Sequence, residues 1–285
     1  MTTKIFNFNF LATAFITFYA FAINWMSGNL GVMPIDTFGF FDSGTSILHN
    51  KLPIRDFWVF TGILVDYFQA FFFLVFGQNW VSYILHASFI NILISIVTYY
   101  FLISLNLKKS YALLYTLSFA TLCYPVIGTP FAYLHSYSFS LLSIFLMCMG
   151  IIKKQNVIWF ILPIFMFFAF LSMQTPSSYI IVIIIIFSIY YFIKEKNLQN
   201  FKFFVLGSIF CILVFFLFLF ITKTPLKNFI YQYLLFPLTI GEGRLASKNS
   251  AFISLSDQLH FKRLILDFKF IHIFLLPLIV LTVKN

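Results

Sequence analysis

Residues Asp36 to Gly77 read DTFGFFDSGTSILHNKLPIRDFWVFTGILVDYFQAFFFLVFG, and the fold of the whole chain turns on how they are read. They include Asp36, Asp42, Asp56 and Asp66, four of only eight acidic residues in the protein. On both sides the sequence is nearly continuous hydrocarbon. A charge at the bilayer centre costs about 2.5 to 3.5 kcal/mol on insertion scales, so acids collect where water reaches them. The stretch is therefore expected to lie within a first outward loop, 27–79, that carries short interfacial helices.

Composition fixes the class around it. Of 285 residues, 61% are hydrophobic and 9% charged, with a mean hydropathy of +0.98. Soluble domains carry about 25% charged residues. The fold class expected is an all-α polytopic transmembrane helical bundle, a single membrane domain over 1–285. Lys and Arg number 18 against 8 Asp and Glu. In a soluble protein that excess would suggest nucleic acid, but here membrane topology and anionic lipid account for it, so no nucleic-acid partner is expected. Cys123, Cys148 and Cys211 sit in apolar runs without paired spacing and read as small hydrophobes. The first apolar run lacks an Ala-x-Ala-like cleavage site and reads as a retained span.

A helix needs about 20 apolar residues to cross the hydrocarbon. Windows of that kind fall near 8–26, 80–105, 111–127, 137–152, 156–172, 178–193, 203–221 and 265–283, which gives about eight spans. Phe68 to Phe76 is too short to cross and reads as a helix in the interface, with Asp66 an ordinary acid near its start. Basic connections at Lys108-Lys109, Lys153-Lys154 and Lys194-Glu195-Lys196 alternate with the His135 and Gln174 turns, which have no Lys or Arg. Basic connections mark the cytoplasmic side. The Asp36 loop, the His135 and Gln174 turns and a second large loop, 222–263, then face outward. That second loop carries Lys223, Lys227, Arg244, Lys248, Lys262 and Arg263, cations that call for an anionic partner. No internal repeat is present, which disfavours an inverted-repeat transporter.

Within the first loop, Pro53 stops a helix, Arg55 and Asp56 form a pair able to hold the chain, and Ser43 to Asn50 is expected to form a short surface helix. This pattern resembles the first loop of the C-type glycosyltransferase superfamily, which includes the protein O-mannosyltransferases and the aminoarabinose transferases. In those families an Asp follows the first span, a stretch like G-x-x-P-Y-R-D-F comes next, and then one like G-P-L-x-x-Y before an apolar helix ending in F-G. Asp36 takes the place of the first Asp, and Pro53, Arg55, Asp56 and Phe57 fit directly. Asn50 stands for Gly, Gly62, Leu64 and Tyr67 fit with Ile63 replacing Pro, and Phe76-Gly77 closes the match. Asp42-Ser43-Gly44 is an alternative placement of the first Asp, with a six-residue shift. Ser172-Met173-Gln174-Thr175-Pro176 is similar to an S-K-Q-T turn with Met173 for Lys, and Phe236-Pro237 with Arg244 is similar to a Phe-Pro…Arg stretch.

The resemblance implies an enzyme that transfers a sugar from a polyprenyl-phosphate donor to a glycan, lipid or protein acceptor, inverting the anomeric centre. The acceptor needs a base and the leaving phosphate needs positive charge. Asp36 is the expected base, with Asp42 the alternative. Arg244, with Lys248 or Lys227, is expected to neutralise the phosphate, and Arg55, Asp56, His135 and Gln174 to line the substrate. No cofactor and no metal is expected, since Asp36 has no neighbouring acid and His49, His86, His260 and His272 share no ligand spacing. The expected site is the outer face of a bacterial cytoplasmic membrane. The plainer readings are a solvated acid at Asp36, a loop-fixing pair at Arg55-Asp56 and a surface imidazole at His135. Two further readings stay open: a non-enzymatic flippase or export component for lipid-linked sugars, and a truncated or minimal relative.

Overall fold

The computed structural model describes residues 8–31, 34–59 and 61–239, with the backbone alone at 34–37. These residues are helical throughout their regular structure. In order they form α1 (Phe8–Leu30), α2 (Pro34–Leu48), α3 (Ile63–Phe76), α4 (Trp80–Ser104), α5 (Lys109–Leu122), α6 (Ala132–Lys153), α7 (Asn156–Ser172), α8 (Gln174–Lys194), α9 (Leu198–Thr222) and α10 (Leu226–Phe229), which runs into a π-helical turn at Ile230–Leu235. Residues up to Tyr233 belong to one compact unit; of the second, Leu234–Asn285, only the stretch to Thr239 is described.

Five described helices, α1, α4, α6, α8 and α9, are long and apolar enough to cross a bilayer, as in an integral membrane protein, and the regular structure of the described residues is all helical. The apolar windows near 111–127 and 156–172 become the shorter helices α5 and α7, of 14 and 17 residues. The window at 265–283 lies outside the described residues. Helix α7 is enclosed by its neighbours α6, α8 and α9, and small residues let it approach them. A Cβ on Gly207 would lie 2.3 Å from the Phe160 carbonyl oxygen, and one on Gly150 would lie 2.9 Å from the Trp159 ring. Close backbone approach of this kind is how helices pack where lipid removes the hydrophobic drive.

Buried amides tie the first helices together. Asn24 donates to Ser88 Oγ at 3.0 Å and to the Gly128 carbonyl at 3.2 Å. Asn91 donates to the Ala20 and Ala120 carbonyls at 3.0 and 3.1 Å, joining α1, α4 and α5. Each amide is wholly buried, and an unpaired amide in hydrocarbon would cost several kcal/mol.

These contacts define two ends. One gathers the end of α1, helices α2 and α3, the 123–131 connection, the α7–α8 turn and the end of α9. Trp80 Nε1 donates to the Gly28 carbonyl at 3.2 Å there, and the Gly62 amide to the Ser172 carbonyl at 2.9 Å. The other end carries Lys108, Lys109, Lys153, Lys154, Lys194 and Lys196, with Lys154 3.7 Å from Glu195. The basic connections and the acidic segment thus occupy opposite ends of the bundle.

The first connection is shorter and more helical than the sequence suggests. Helix α1 continues to Leu30 and α4 begins at Trp80, so 27–79 narrows at its start. Helix α2 starts at Pro34 rather than near Ser43, because Pro suits the first turn of a helix. Asp36 and Asp42 are consequently helical residues and not loop residues.

Candidate functional site

The acidic end is built from α2 lying on α3, with the 49–62 connection folded between them and the end of α9. Two left-handed residues shape that connection, Asn50 at φ 60° and Ile54 at φ 70°. Asn tolerates this region at little cost, whereas a β-branched Ile does not, so surrounding contacts must hold it. Gln232 supplies them: its Nε2 donates to the Ile54 carbonyl at 3.1 Å and its Oε1 accepts from the Val59 amide at 3.4 Å.

Arg55 and Asp56 complete the clamp. Arg55 Nη2 lies 2.7 Å from Asp56 Oδ2, and Nε donates to the same carboxylate at 3.0 and 3.1 Å. Arg55 also donates from Nη1 to the Thr222 carbonyl at 2.9 Å and from Nη2 to the Asn50 carbonyl at 3.0 Å. Asp56 Oδ2 accepts from the Leu52 amide at 2.7 Å. Hydrogen bonds from Arg55 and then Leu52 hold the Asp56 carboxyl below the usual carboxylate range. Both side chains are therefore engaged in fixing the connection to α9, the plainer of their two sequence readings.

Gly62 docks the start of α3. A Cβ there would lie 1.7 Å from the Leu171 carbonyl oxygen, so no other residue permits this approach. Beyond it, α3 turns Asp66 inward. Asp66 is 1% exposed, and burial pushes its carboxyl up to about 7, partly offset by a hydrogen bond with Ser43 of α2. The sequence reading of Asp66 as an ordinary acid near a helix start is corrected: its carboxyl is enclosed between α2 and α3.

His135 is likewise corrected from a surface position. Its ring is fully buried, 2.9 Å from His86 Nε2 and 2.7 Å from the Tyr124 hydroxyl. Helices α4 and α6 pack side by side, and that packing joins two histidines 49 positions apart. Gln69, one turn after Asp66, meets His86 Nδ1 at 2.9 Å through Oε1. The sequence reading gives Gln69 and Tyr124 no site role and weighs His86 only as a metal ligand. The available signal was polar residues inside otherwise apolar runs.

The remaining candidates separate. Asp42 is exposed on α2. Asp36 lies in the first turn of α2, four residues before buried Phe40 and seven before Ser43. Six residues separate it from Asp42, which puts the two on different sides of the helix. Gln174 opens α8 and donates from Nε2 to the Tyr233 carbonyl at 3.2 Å. Arg244 and Lys248 lie outside the described residues. Among the described residues no group of three or more His, Cys, Asp or Glu is arranged to hold a metal ion.

This end thus offers a helical platform above a buried run of two imidazoles, an amide and a phenol, with the Asp66 carboxyl buried one turn from the amide. Such a run can hold or pass protons. Compared with protein-family models, with curated proteins and with solved structures, the chain matches none.

Proposed function

We propose that this protein is a membrane glycosyltransferase that moves a sugar from a polyprenyl-phosphate donor to a glycan, lipid or protein acceptor at the outer face of a bacterial cytoplasmic membrane. Asp36 acts as general base on the acceptor, with Asp42 as the alternative, and the anomeric centre inverts. Arg244 and Lys248 neutralise the departing lipid phosphate.

The observation that carries this reading is the architecture of 34–76. The acid-rich segment after the first long apolar helix forms two packed helices, pinned to the bundle by Gln232, Arg55 and Gly62 at the end away from the basic connections. A donor whose phosphate lies at the membrane surface needs its base held there on a rigid support, because misplacing a catalytic group by 1 Å can cost about a hundredfold in rate.

A second reading, proton-coupled handling of a lipid-linked sugar without chemistry, is favoured by the buried His86–His135 contact, since intramembrane titratable groups often mark transport paths. Mass spectrometry of lipids and surface glycans separates the two in deletion cells carrying wild type, Asp36→Asn or Asp42→Asn. Loss of one glycan with accumulation of its polyprenyl-phosphate sugar in Asp36→Asn alone supports the enzyme. Normal glycans in both variants, where deletion has a phenotype, exclude a catalytic carboxylate on α2.

A further inference from the structure

Four side chains form one continuous buried run. Tyr124 Oη lies 2.7 Å from His135 Nδ1, His135 Nε2 lies 2.9 Å from His86 Nε2, and His86 Nδ1 lies 2.9 Å from Gln69 Oε1. Two imidazole nitrogens facing each other require a hydrogen on one and a lone pair on the other. The end of the run decides which. Gln69 presents its carbonyl oxygen, which only accepts, so His86 donates through Nδ1 and accepts at Nε2. His135 then donates through Nε2, and its Nδ1 accepts from the Tyr124 hydroxyl. That hydroxyl in turn accepts from the Phe131 amide at 3.2 Å.

The same geometry accommodates one more proton. The Phe131 carbonyl oxygen stands 3.1 Å from His135 Nδ1. While that nitrogen is an acceptor, the contact bonds nothing. Once it is protonated it donates to that carbonyl, with the Tyr124 hydroxyl turned away. The hydrogen between the two Nε2 atoms can then sit on either ring: when it crosses, His135 becomes neutral and His86 cationic, with the charge conserved. His86 would hold both its N–H groups bonded, one to His135 and one to Gln69.

Asp66 lies one turn from Gln69 on α3. Its Oδ2 and the Gln69 Nε2 are both buried and without a partner. A lone buried carboxylate or imidazolium is costly, whereas the two together in one enclosed cluster offset each other. Of the groups facing them, Ser43 from α2, Tyr67 from α3, Tyr83 from α4 and Tyr124 from the connection before α6 are neutral at pH 7, and the charged groups at that end are the Arg55–Asp56 pair, which acts on Tyr67, and Asp36 in the first turn of α2.

We propose that Asp66, His86 and His135 form a buried proton-binding site that holds one proton between the carboxyl and the imidazole pair. In the exchange, the Asp66 O–H proton leaves and an N–H forms on the pair, so a neutral acid and neutral rings become a carboxylate and one shared imidazolium. Burial raises the Asp66 carboxyl to about 7, so it carries its proton into the enclosed site near neutral pH. The site stands independently of the sugar-transfer reading.

Infrared spectroscopy of the purified full chain in lipid nanodiscs tests this. The protonated-carboxyl band of Asp66, identified by its loss in Asp66→Asn, is followed against pH in wild type, His86→Gln and His135→Gln. Losing either ring removes the shared cation, so the band should persist to a pH higher by about one unit, a tenfold gain in proton affinity. An unchanged titration in both variants, with helicity and elution volume intact, overturns the proposal. Where a histidine variant does not fold, ¹⁵N-histidine NMR of wild type against Asp66→Asn decides. Loss of the carboxylate should move imidazolium formation to lower pH, and an identical titration refutes the site.

Discussion

Replacing Gln232 with Leu removes the clamp on the first connection while keeping side-chain volume. Gln232 is the partner of the Val59 amide and the main partner of the Ile54 carbonyl, at 3.4 and 3.1 Å. Ile54 is 2% exposed and Val59 7%, so water cannot easily take over either role. An orphaned buried backbone group costs about 1 to 3 kcal/mol. The Val59 bond is long and counts at the low end, and Asn228 Nδ2 retains a 3.5 Å contact with the Ile54 carbonyl. The sum is about 2 kcal/mol or more for local opening. At about 1.4 kcal/mol per tenfold change, amide exchange across 52–59 should accelerate about 30-fold in nanodiscs. Exchange within α6 should not change, because the hydrogen bonds of Gln232 go to Ile54 and Val59. Unaltered exchange at 52–59 would refute the assignment of Gln232 as the clamp.

Gly62→Ala should be more damaging than its single methyl suggests, because the Cβ collides with backbone at Leu171 and breaks the Gly62–Ser172 bond; the yield of monodisperse protein reports it, with Gly39→Ala, at an open position, as control. Asn91→Leu leaves the Ala20 and Ala120 carbonyls without their side-chain donor and should lower the melting temperature in detergent, whereas Asn29→Leu, at an exposed site on α1, should leave it nearly unchanged. Asp66 binds its proton more tightly in the folded chain than in the unfolded one, so stability should fall as pH rises from about 4 through 7 and level off above; Asp66→Asn should flatten that slope, which melting curves from pH 5 to 8 measure.

How much of this was legible in the sequence follows from how far apart the interacting residues lie. The membrane class and the contrast between basic and acidic ends rest on local signals: apolar runs, and Lys clusters at Lys108, Lys153 and Lys194. The Arg55–Asp56 pair could be read because its partners are neighbours, although its third partner, the Thr222 carbonyl, lies 167 positions away. Apolar runs of 14 and 17 residues at α5 and α7 do not reveal whether they cross, since enclosure by neighbouring helices decides that. The start of α2 was missed because Gly39 and Gly44 lower its intrinsic helix preference. Tertiary contact with α3 overrides them: Gly44 sits where a Cβ would lie 2.8 Å from Gln69. Nothing local marks His86 and His135 as partners, because only the packing of α4 on α6 brings them together.

The most direct test of the account is which side of the membrane each end of the bundle faces. In a background with Cys123, Cys148 and Cys211 replaced by Ala, single cysteines at exposed Lys51 and exposed Gln155 would be treated with a membrane-impermeant thiol reagent on intact cells. The account predicts labelling of Lys51→Cys from outside, and of Gln155→Cys only after the membrane is opened. The reverse pattern would put the acidic end in the cytoplasm and contradict an outward-facing site on α2.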